Sequence, residues 1–442
     1  MFQIGRELKR FFQPDVRRDG LCLGDPALLD LIDADLLRAE ARSADVAAGR
    51  IGAKDRPRRL IEAAAVWREL ARRTGDAAAL RKAASTAEQA ARLAREEGRR
   101  PELAAALCEQ VQAALIGADL FGDEGLGAAA EELLSEASQS PAVQALKAVL
   151  GSRRILADGE LEAVRAAAAE FDPLLTASGP ARRRLDGPAR ARLRLHRAEF
   201  LIGCGARLKD PDLIEAALAD LSEAAQALSS AYQPLALALA QELRGLALTK
   251  LGELGGDLAR LLEALDAFEE GLDLITSDHS PLDWARLQHG RGLVLSLIGE
   301  ASESEPAFLQ ALQAFAAALG QLDRSPHLSL RALASQDRAA CLVRRAETKG
   351  DLFALDEAEA VLRSELAVLR SPPDPLAWAV LQLNLARVYQ AQALARGQDR
   401  GERARAADAL LAALDVFSER GLRSLAVMAE TGLERLRETS AA

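Results

Sequence analysis

Apolar side chains along this 442-residue chain recur with the period of an amphipathic helix, and no stretch alternates as a half-buried strand does. The clearest pattern lies in residues 281–324, where a first helix, a polar break and a second helix follow one another. Its opening, Pro-Leu-Asp-Trp-Ala from Pro281, returns 94 residues later as Pro-Leu-Ala-Trp-Ala from Pro375. Since 94 is twice 47, and a fixed period of about 20–50 residues is typical of repeat arrays, the sequence predicts an all-α array of helical hairpins.

A series of prolines sets the register of this array. The prolines are spaced 40–49 residues apart: Pro57, Pro101, Pro141, Pro188, Pro234, Pro281, Pro326 and Pro375. Proline is favoured at the first position of a helix, where its missing N–H would have no partner. Good N-cap residues precede several of them, namely Ser140, Ser280, Ser325 and Asp374. Each proline is therefore predicted to begin the first helix of a hairpin.

Clusters of polar residues and glycine predict the break between the two helices of each hairpin. The breaks are Thr74–Asp76, Gly122–Gly125, Asp158-Gly159, Lys209–Asp212, Gly252–Asp257, Gly299–Glu305, Lys349–Asp351 and Gly397–Gly401. Eight hairpins are expected over residues 57–421. Residues 15–56 are expected to form a linker and an N-terminal capping helix, which begins at Asp25 and carries Leu29, Ile32 and Leu37. Residues 422–442 are expected to form a C-terminal capping helix and tail.

Small and aromatic residues within one hairpin match a known repeat motif. The matching residues are Gly292, Gly299, Ala311, Phe315 and Ala318, with Tyr389 at the tyrosine position of a later first helix. This pattern resembles the tetratricopeptide repeat (TPR) family, and the Pro-Leu-x-Trp-Ala opening is similar to the longer variant of bacterial multi-repeat proteins. The resemblance covers about residues 230–421. Units of about 46 residues depart from the family's usual length of about 34.

The resemblance implies a right-handed α-solenoid of about eight TPR-like hairpins whose first helices line a peptide-binding groove. The side chains it places toward that groove are His196, Glu242, Lys250, Arg286, His289, Asp337, Arg344, Arg345, Arg387 and Gln390. The four arginines among them lie in neighbouring repeats. We expect them to converge on a carboxylate or an acidic segment, because a guanidinium binds carboxylates through two parallel hydrogen bonds. Scattered, solvated charges are the alternative interpretation.

Composition and charge narrow the range of functions. Hydrophobic residues make up 49% of the chain but aromatic residues only 4%, so alanine and leucine must form the core. The net charge is −10, and the chain as a whole lacks the basic footprint of a nucleic-acid-binding protein. The four cysteines and four histidines match no metal or redox spacing, and neither a phosphate-binding glycine loop nor a nucleophile motif occurs. We expect no enzymatic activity, no cofactor, no metal and no nucleic-acid partner.

Two basic segments offer further candidate surfaces. Residues 1–14 predict an amphipathic helix whose apolar residues are Phe2, Leu8, Phe11 and Phe12, which fits either a membrane or docking segment or a helix that covers the first repeat. In the fourth hairpin Arg190, Arg194 and Arg197 share one helix face. They predict either a basic patch for an anionic partner or ion pairs with the acidic helix of residues 210–223.

These observations favour a non-enzymatic scaffold or adaptor that binds another protein or peptide, including one with an acidic segment, in the groove. The N-terminus has no apolar core of a secretory signal, so a cytoplasmic location is expected. The alternative is a peripheral, membrane-associated organiser that is tethered to the inner face of the membrane by residues 1–14.

Overall fold

A computed structural model describes residues 29–50, 55–121, 125–137, 140–176, 185–322, 329–349, 352–368, 375–419 and 423–441. These residues form helices and their connections, and no strand occurs among them. The prediction of an all-α chain is therefore confirmed for the described part. Within each unit most consecutive helices contact each other, and several also contact the next helix but one.

The helices of the described residues range in length from 4 to 22 residues. The helices are α1 Ala34–Gly49, α2 Arg56–Thr74, α3 Ala77–Glu96, α4 Arg100–Phe121, α5 Gly125–Glu136, α6 Pro141–Leu156, α7 Leu161–Ala169, α8 Asp172–Leu175, α9 Gly187–Leu208, α10 Pro211–Ala227, α11 Pro234–Gly255, α12 Leu258–Leu274, α13 Pro281–Ala301, α14 Glu305–Leu322, α15 Ser329–Lys349, α16 Leu352–Val368, α17 Pro375–Arg396, α18 Glu402–Glu419 and α19 Arg423–Ala441. First helices are α2, α4, α6, α9, α11, α13, α15 and α17.

The prolines mark helix starts as the sequence predicted. Pro141, Pro234, Pro281 and Pro375 are the first residues of their helices, and Pro57, Pro101 and Pro188 are the second. Pro326 lies outside the described residues. The predicted cap Ser140 accepts a hydrogen bond from the backbone N–H of Val143 at 3.3 Å, whereas Ser325 and Asp374 lie outside the described residues. This agreement follows from the fixed φ of proline, which suits the first turn of a helix.

Three predicted boundaries need correction. Gly252 and Gly299 were expected in breaks, but both lie inside helices, α11 and α13. The N-terminal capping helix was expected to run on from Asp25 through Leu37, but it is interrupted, because Leu29 is helical, residues 30–33 form a turn and α1 begins at Ala34. The side chain of Asp33 caps α1, because its carboxylate accepts the backbone N–H of Leu36 at 2.8 Å.

The chain divides into two compact units. Unit 1 comprises Met1–Gly255 and Glu269–Trp284, and unit 2 comprises Gly256–Phe268 and Ala285–Ala442. The core of unit 1 is rich in alanine, as along α3, where Ala83, Ala87, Ala90 and Ala94 are buried. Arginine–carboxylate pairs link its hairpins, including Arg68–Glu109 at 2.7 Å.

Unit 2 instead interlocks glycine with phenylalanine. A Cβ atom on Gly292 would lie 2.9 Å from the Phe315 ring, and one on Gly299 would lie 3.0 Å from the Phe308 ring. Gly290 is tighter still, since its Cβ would meet the ring of Phe268 at 2.2 Å. The first and second helices approach closely here because glycine adds no side chain between them. The small residues therefore have the packing role that the TPR-like motif implied.

One described helix, α4, is long and apolar enough to cross a membrane by length and composition alone. Half of its most apolar stretch is buried inside the protein. A buried core helix passes the same test, so this feature alone does not indicate a membrane span.

Candidate polypeptide-binding site

The first helices of unit 1 hold a short piece of the chain's own backbone. This piece is Leu29–Asp33, here called the N-terminal turn, which comes just before α1. Leu29 and Ile32 are 6% and 7% exposed and pack into an apolar cluster with Val66 and Leu70 of α2. Both ends of the turn are thus anchored by an apolar side chain.

Arg73 of α2 binds the turn through its main chain. Its side chain is fully buried, and its Nη1 atom donates to the carbonyl oxygen of Ile32 at 2.8 Å. The Nη2 atom donates to the carbonyl oxygen of Leu29, and Nε donates to the carboxylate of Glu69 at 2.7 Å. One guanidinium therefore satisfies two carbonyl groups of the turn while a carboxylate on its own helix balances its charge.

Residues 278–283, about 250 positions further along the chain, complete the site. His279 Nε2 lies 2.8 Å from the carbonyl oxygen of Asp30, and the backbone N–H of Ala34 donates to the carbonyl oxygen of Asp278 at 3.1 Å. Arg72 Nη1 binds both carboxylate oxygens of Asp283 at 2.8 and 2.9 Å. These contacts join the start of unit 1 to its end.

The two carboxylates at this site, Asp30 and Glu69, differ in how well neighbouring arginines stabilise them. Burial raises the pKa of Asp30 to about 6 despite the opposing charge of Arg192 of α9, whose Nη2 atom is 3.5 Å from the carboxylate. Burial also raises the pKa of Glu69, but the charges of Arg72 and Arg73 outweigh it and hold that pKa well below its usual value. Asp30 is therefore the poorly stabilised carboxylate of the site.

Burial and the charge of Arg73 lower the pKa of His279. The imidazole is consequently neutral near pH 7, and Nε2–H is the form that can donate to the Asp30 carbonyl. The site as a whole is suited to binding backbone carbonyls and two apolar side chains. It has no arrangement for metal binding, because no group of three or more histidine, cysteine, aspartate or glutamate side chains in the described part of the chain is placed to hold an ion.

The predicted groove residues of unit 1 differ from the residues of this site in their contacts. His196 is 48% exposed, with Nδ1 3.9 Å from Glu199. Glu242 is buried in α11, and Lys250 pairs with Glu253 at 2.6 Å. The His196 and Lys250 ion pairs each join residues of a single helix, α9 and α11 respectively.

In unit 2 the structure brings several predicted residues together. His289 and Asp337 meet across α13 and α15 at 2.7 Å, and the His289 ring lies 5.9 Å from that of Phe315. Arg344 pairs with Glu300 of α13 at 3.1 Å, and Arg345 pairs with Glu305 at 2.9 Å. Both arginines are thus already bound to carboxylates of the protein.

The remaining predicted groove residues differ in accessibility. Arg286 and Gln390 are half-buried, whereas Arg387 is exposed on α17. No hydrogen bond or ion pair of Arg387 occurs among the described residues. Of the four predicted groove arginines, it is the one whose charge is plainly available to a partner.

The predicted basic patch of α9 is largely paired. Arg194 binds Glu223 at 2.6 Å, and Arg197 binds Asp220 at 2.5 Å and Asp172 at 2.6 Å. This is the arrangement of the alternative interpretation, in which the acidic helix α10 neutralises the arginines. Arg190 is half-buried, and the predicted membrane or docking segment with Phe2, Leu8, Phe11 and Phe12 lies outside the described residues.

The described cysteines carry no signs of reactivity. Burial raises the pKa of Cys108 to about 12 and that of Cys341 to about 11. Both thiols are protonated at neutral pH, whereas nucleophilic cysteines are thiolates.

Sequence reasoning missed the site around the N-terminal turn. One local signal existed: Arg72 and Arg73 directly follow the apolar Leu70 and Ala71, so one of two adjacent arginines had to lie near the core face of α2. Nothing local connects these residues with His279 or Asp283.

Comparisons with known proteins give a weak structural likeness and no family. No family model matches the sequence, and no curated protein matches it. Among solved structures, a Rap protein complexed with competence and sporulation factor is 11% identical, with a TM-score of 0.44 over 91% of this chain and 99% of that one. Apo RapI is 12% identical, with a TM-score of 0.43 over 88% and 99%. An IFIT1 monomeric mutant with Gppp-AAAA is 15% identical, with a TM-score of 0.47 over 92% and 87%.

These scores are too low to carry a conclusion about family or ligand. The description of the chain as helical hairpins comes from its own helices, their proline starts and the glycine–phenylalanine packing of unit 2.

Proposed function

We propose that this chain is a non-enzymatic interaction scaffold whose first helices bind a polypeptide segment of a partner protein. The observation that carries the proposal is the way Arg73 and His279 hold the N-terminal turn through its carbonyl oxygens. Contacts to the main chain are available from any polypeptide, so a surface that binds one segment this way is suited to binding others.

The partner surface in unit 2 is proposed to include the exposed face around Arg387. Its guanidinium is exposed, and an acidic segment is the partner chemistry that it favours. Arg344 and Arg345 contribute less as direct ligands in this proposal, because Glu300 and Glu305 already neutralise them.

Photo-crosslinking from position 390, which lies one helical turn from Arg387 and leaves its guanidinium in place, tests the proposal. A photoreactive residue at this position in the full-length chain is expected to crosslink to one or a few proteins in a native lysate, each through an acidic segment that mass spectrometry can map. The charge reversal Arg387→Glu should lower the captured amount of the same proteins by about tenfold, a loss of about 1.4 kcal/mol in binding free energy.

Arg437→Glu is the matched control, since Arg437 is an exposed arginine of α19 in the same unit. If both reversals leave the captured set unchanged, the Arg387 surface is not the binding face. Reversal of Arg344 or Arg345 is a poorer test, because it would place two carboxylates about 3 Å apart and destabilise the hairpins themselves.

A further inference from the structure

We propose that the N-terminal turn is an internal occupant of a polypeptide-binding site in unit 1, and that a partner segment of matching pattern displaces it. The matching pattern has two apolar residues three positions apart, as Leu29 and Ile32 are, and an uncharged hydrogen-bonding residue such as asparagine directly after the first. This inference deepens the proposed function and rests on it, since it assigns a particular site and ligand pattern to the scaffold.

The site is organised independently of its occupant. Without the turn, Arg73 would still have its ion pair with Glu69, and Arg72 would still have its ion pairs with Glu69 and Asp283. Ser280 also donates to Asp283 at 2.7 Å, which holds that carboxylate in position. Arg72, Arg73, Glu69 and Asp283 therefore neutralise one another, so departure of the turn leaves no unpaired charge among these four. Arg192 of α9 loses its contact with Asp30, which is long at 3.5 Å.

The hydrogen bonds that hold the turn impose few requirements on its sequence. Arg73 and His279 bind three carbonyl oxygens, which every residue possesses. Specificity comes from the two buried apolar anchors and from the position of Asp30, a residue that is 6% exposed. A foreign segment needs the same two anchors and a tolerable side chain at the position of Asp30.

Asp30 is the least well-suited part of the occupant. From α9 only Arg192 approaches its carboxylate, at 3.5 Å, which is long for a charge-assisted hydrogen bond. From α2 the charges of Glu69, Arg72 and Arg73 also act on the Asp30 carboxylate. His279, which binds the Asp30 carbonyl oxygen, is itself influenced by the charges of Asp283 and Asp33. An asparagine at this position keeps hydrogen-bonding capacity without a buried charge, so it should bind more tightly at neutral pH.

The test uses the full-length chain and two fluorescent ten-residue peptides. One peptide has the sequence of residues 27–36, and the other carries the Asp30→Asn change. Binding is measured by anisotropy at pH 7.5 and 5.0 to the wild-type protein and to Ile32→Asp, which places a charge at a buried anchor and so expels the turn while leaving Arg73, Arg192 and His279 unchanged. Circular dichroism checks that this variant keeps its helices.

The asparagine peptide is expected to bind Ile32→Asp at least about tenfold more tightly than the wild type, because the tethered turn competes at a high effective concentration. It should also bind more tightly than the aspartate peptide at pH 7.5, and this difference should shrink at pH 5.0, where the aspartate is more often protonated. A helical Ile32→Asp protein that binds neither peptide would overturn the proposal.

Hydrogen exchange on the wild-type protein provides a readout that needs no variant. At about 1 mM asparagine peptide, displacement should raise exchange at the backbone N–H groups of the turn and of Ala34, with no rise at Gly75 in the α2–α3 connection. Unchanged exchange at the turn means that the turn is purely structural. If this happens while Arg387→Glu still lowers partner capture, the scaffold function stands and the unit 1 site alone is rejected.

Discussion

Unit 1 and unit 2 have the same hairpin rhythm but hold their helices together by different means. Unit 2 relies on shape, since Gly290, Gly292 and Gly299 each face a phenylalanine ring. Unit 1 joins sequence-distant elements through buried charge, with Arg72 and Arg73 at the centre. The glycine contacts are short-range and recur with the repeat. The Arg72–Asp283 ion pair and the hydrogen bond between His279 and the Asp30 carbonyl instead link residues about 210 to 250 positions apart.

This difference has a physical consequence. Glycine–phenylalanine packing excludes other groups, because the surfaces fit only each other. The charged site of unit 1 surrounds a backbone segment instead, and hydrogen bonds to carbonyl oxygens are compatible with many segments. Unit 1 is therefore the more suitable of the two for exchanging one bound segment for another, and unit 2 for maintaining the hairpins.

The largest effect that separates the two units is expected from Arg73→Met. The change removes the hydrogen bonds to Leu29 and Ile32 and leaves their buried carbonyl oxygens without donors. Breaking a buried charged network costs about 3–5 kcal/mol. We expect a loss of this size in the unfolding free energy and fast hydrogen exchange at the N-terminal turn, with little change in α13–α17.

Arg81→Met is the matched control, because Arg81 is exposed on α3 of the same unit. Its effect should stay within about 0.5 kcal/mol. Equal losses for the two substitutions would contradict the special role of Arg73.

A somewhat smaller loss is expected from Gly292→Leu in unit 2. Even a Cβ atom here would lie 2.9 Å from the Phe315 ring, so a leucine must push α13 and α14 apart. Overpacking of this kind costs about 1–3 kcal/mol. Thermal unfolding should shift downward, and the near-ultraviolet signal of the aromatic residues should change.

Gly320→Leu is the control for Gly292→Leu, since a Cβ atom on Gly320 of α14 would meet nothing within 4 Å. Leucine is the better helix former there by roughly 0.5–1 kcal/mol, so this variant should be slightly stabilised. A melting temperature that Gly292→Leu leaves unchanged would refute the packing role of Gly292.

The sequence was sufficient for the local architecture and insufficient for the site of unit 1. Proline placement predicted helix starts because it acts through the geometry of the residue itself. The predicted helix breaks at Gly252 and Gly299 were wrong. Glycine serves both as a helix terminator and as a small residue inside a helix, and only the facing side chain distinguishes the two roles. Asp33 was a missed N-cap, a local signal that would have placed the start of α1 correctly.

The contacts of His279 and Asp283 could not be predicted for a different reason. They depend on how the hairpins of unit 1 accumulate over about 250 residues, and a small change in the packing of each pair would separate these groups. The contact between His289 and Asp337 in unit 2 is of another kind. These residues are one repeat apart, and repeat spacing places them on adjacent first helices. Whether these residues bind a partner stays a prediction.

The smallest effect, and the only stabilising one in unit 1, is expected from Asp30→Asn. The folded-state pKa of Asp30, about 6, is above its usual 3.8, so folding takes up a proton between these values and the ionised carboxylate destabilises the folded state above about pH 6. Two pKa units correspond to about 3 kcal/mol, and loss of the Arg192 contact reduces the expected gain to about 1–2 kcal/mol at pH 7.5. The gain should decline as pH falls through 6 and disappear near pH 4, where Asp30 is protonated whether the chain is folded or not.

Urea unfolding of wild type and variant at pH 7.5 and pH 4 measures this gain. His279 and Glu69 titrate in both proteins, so their contributions largely cancel in the difference. A gain that persists unchanged at pH 4 would show that the asparagine acts through packing rather than through charge, and the contrast drawn between the two units would then lose its electrostatic basis at this residue.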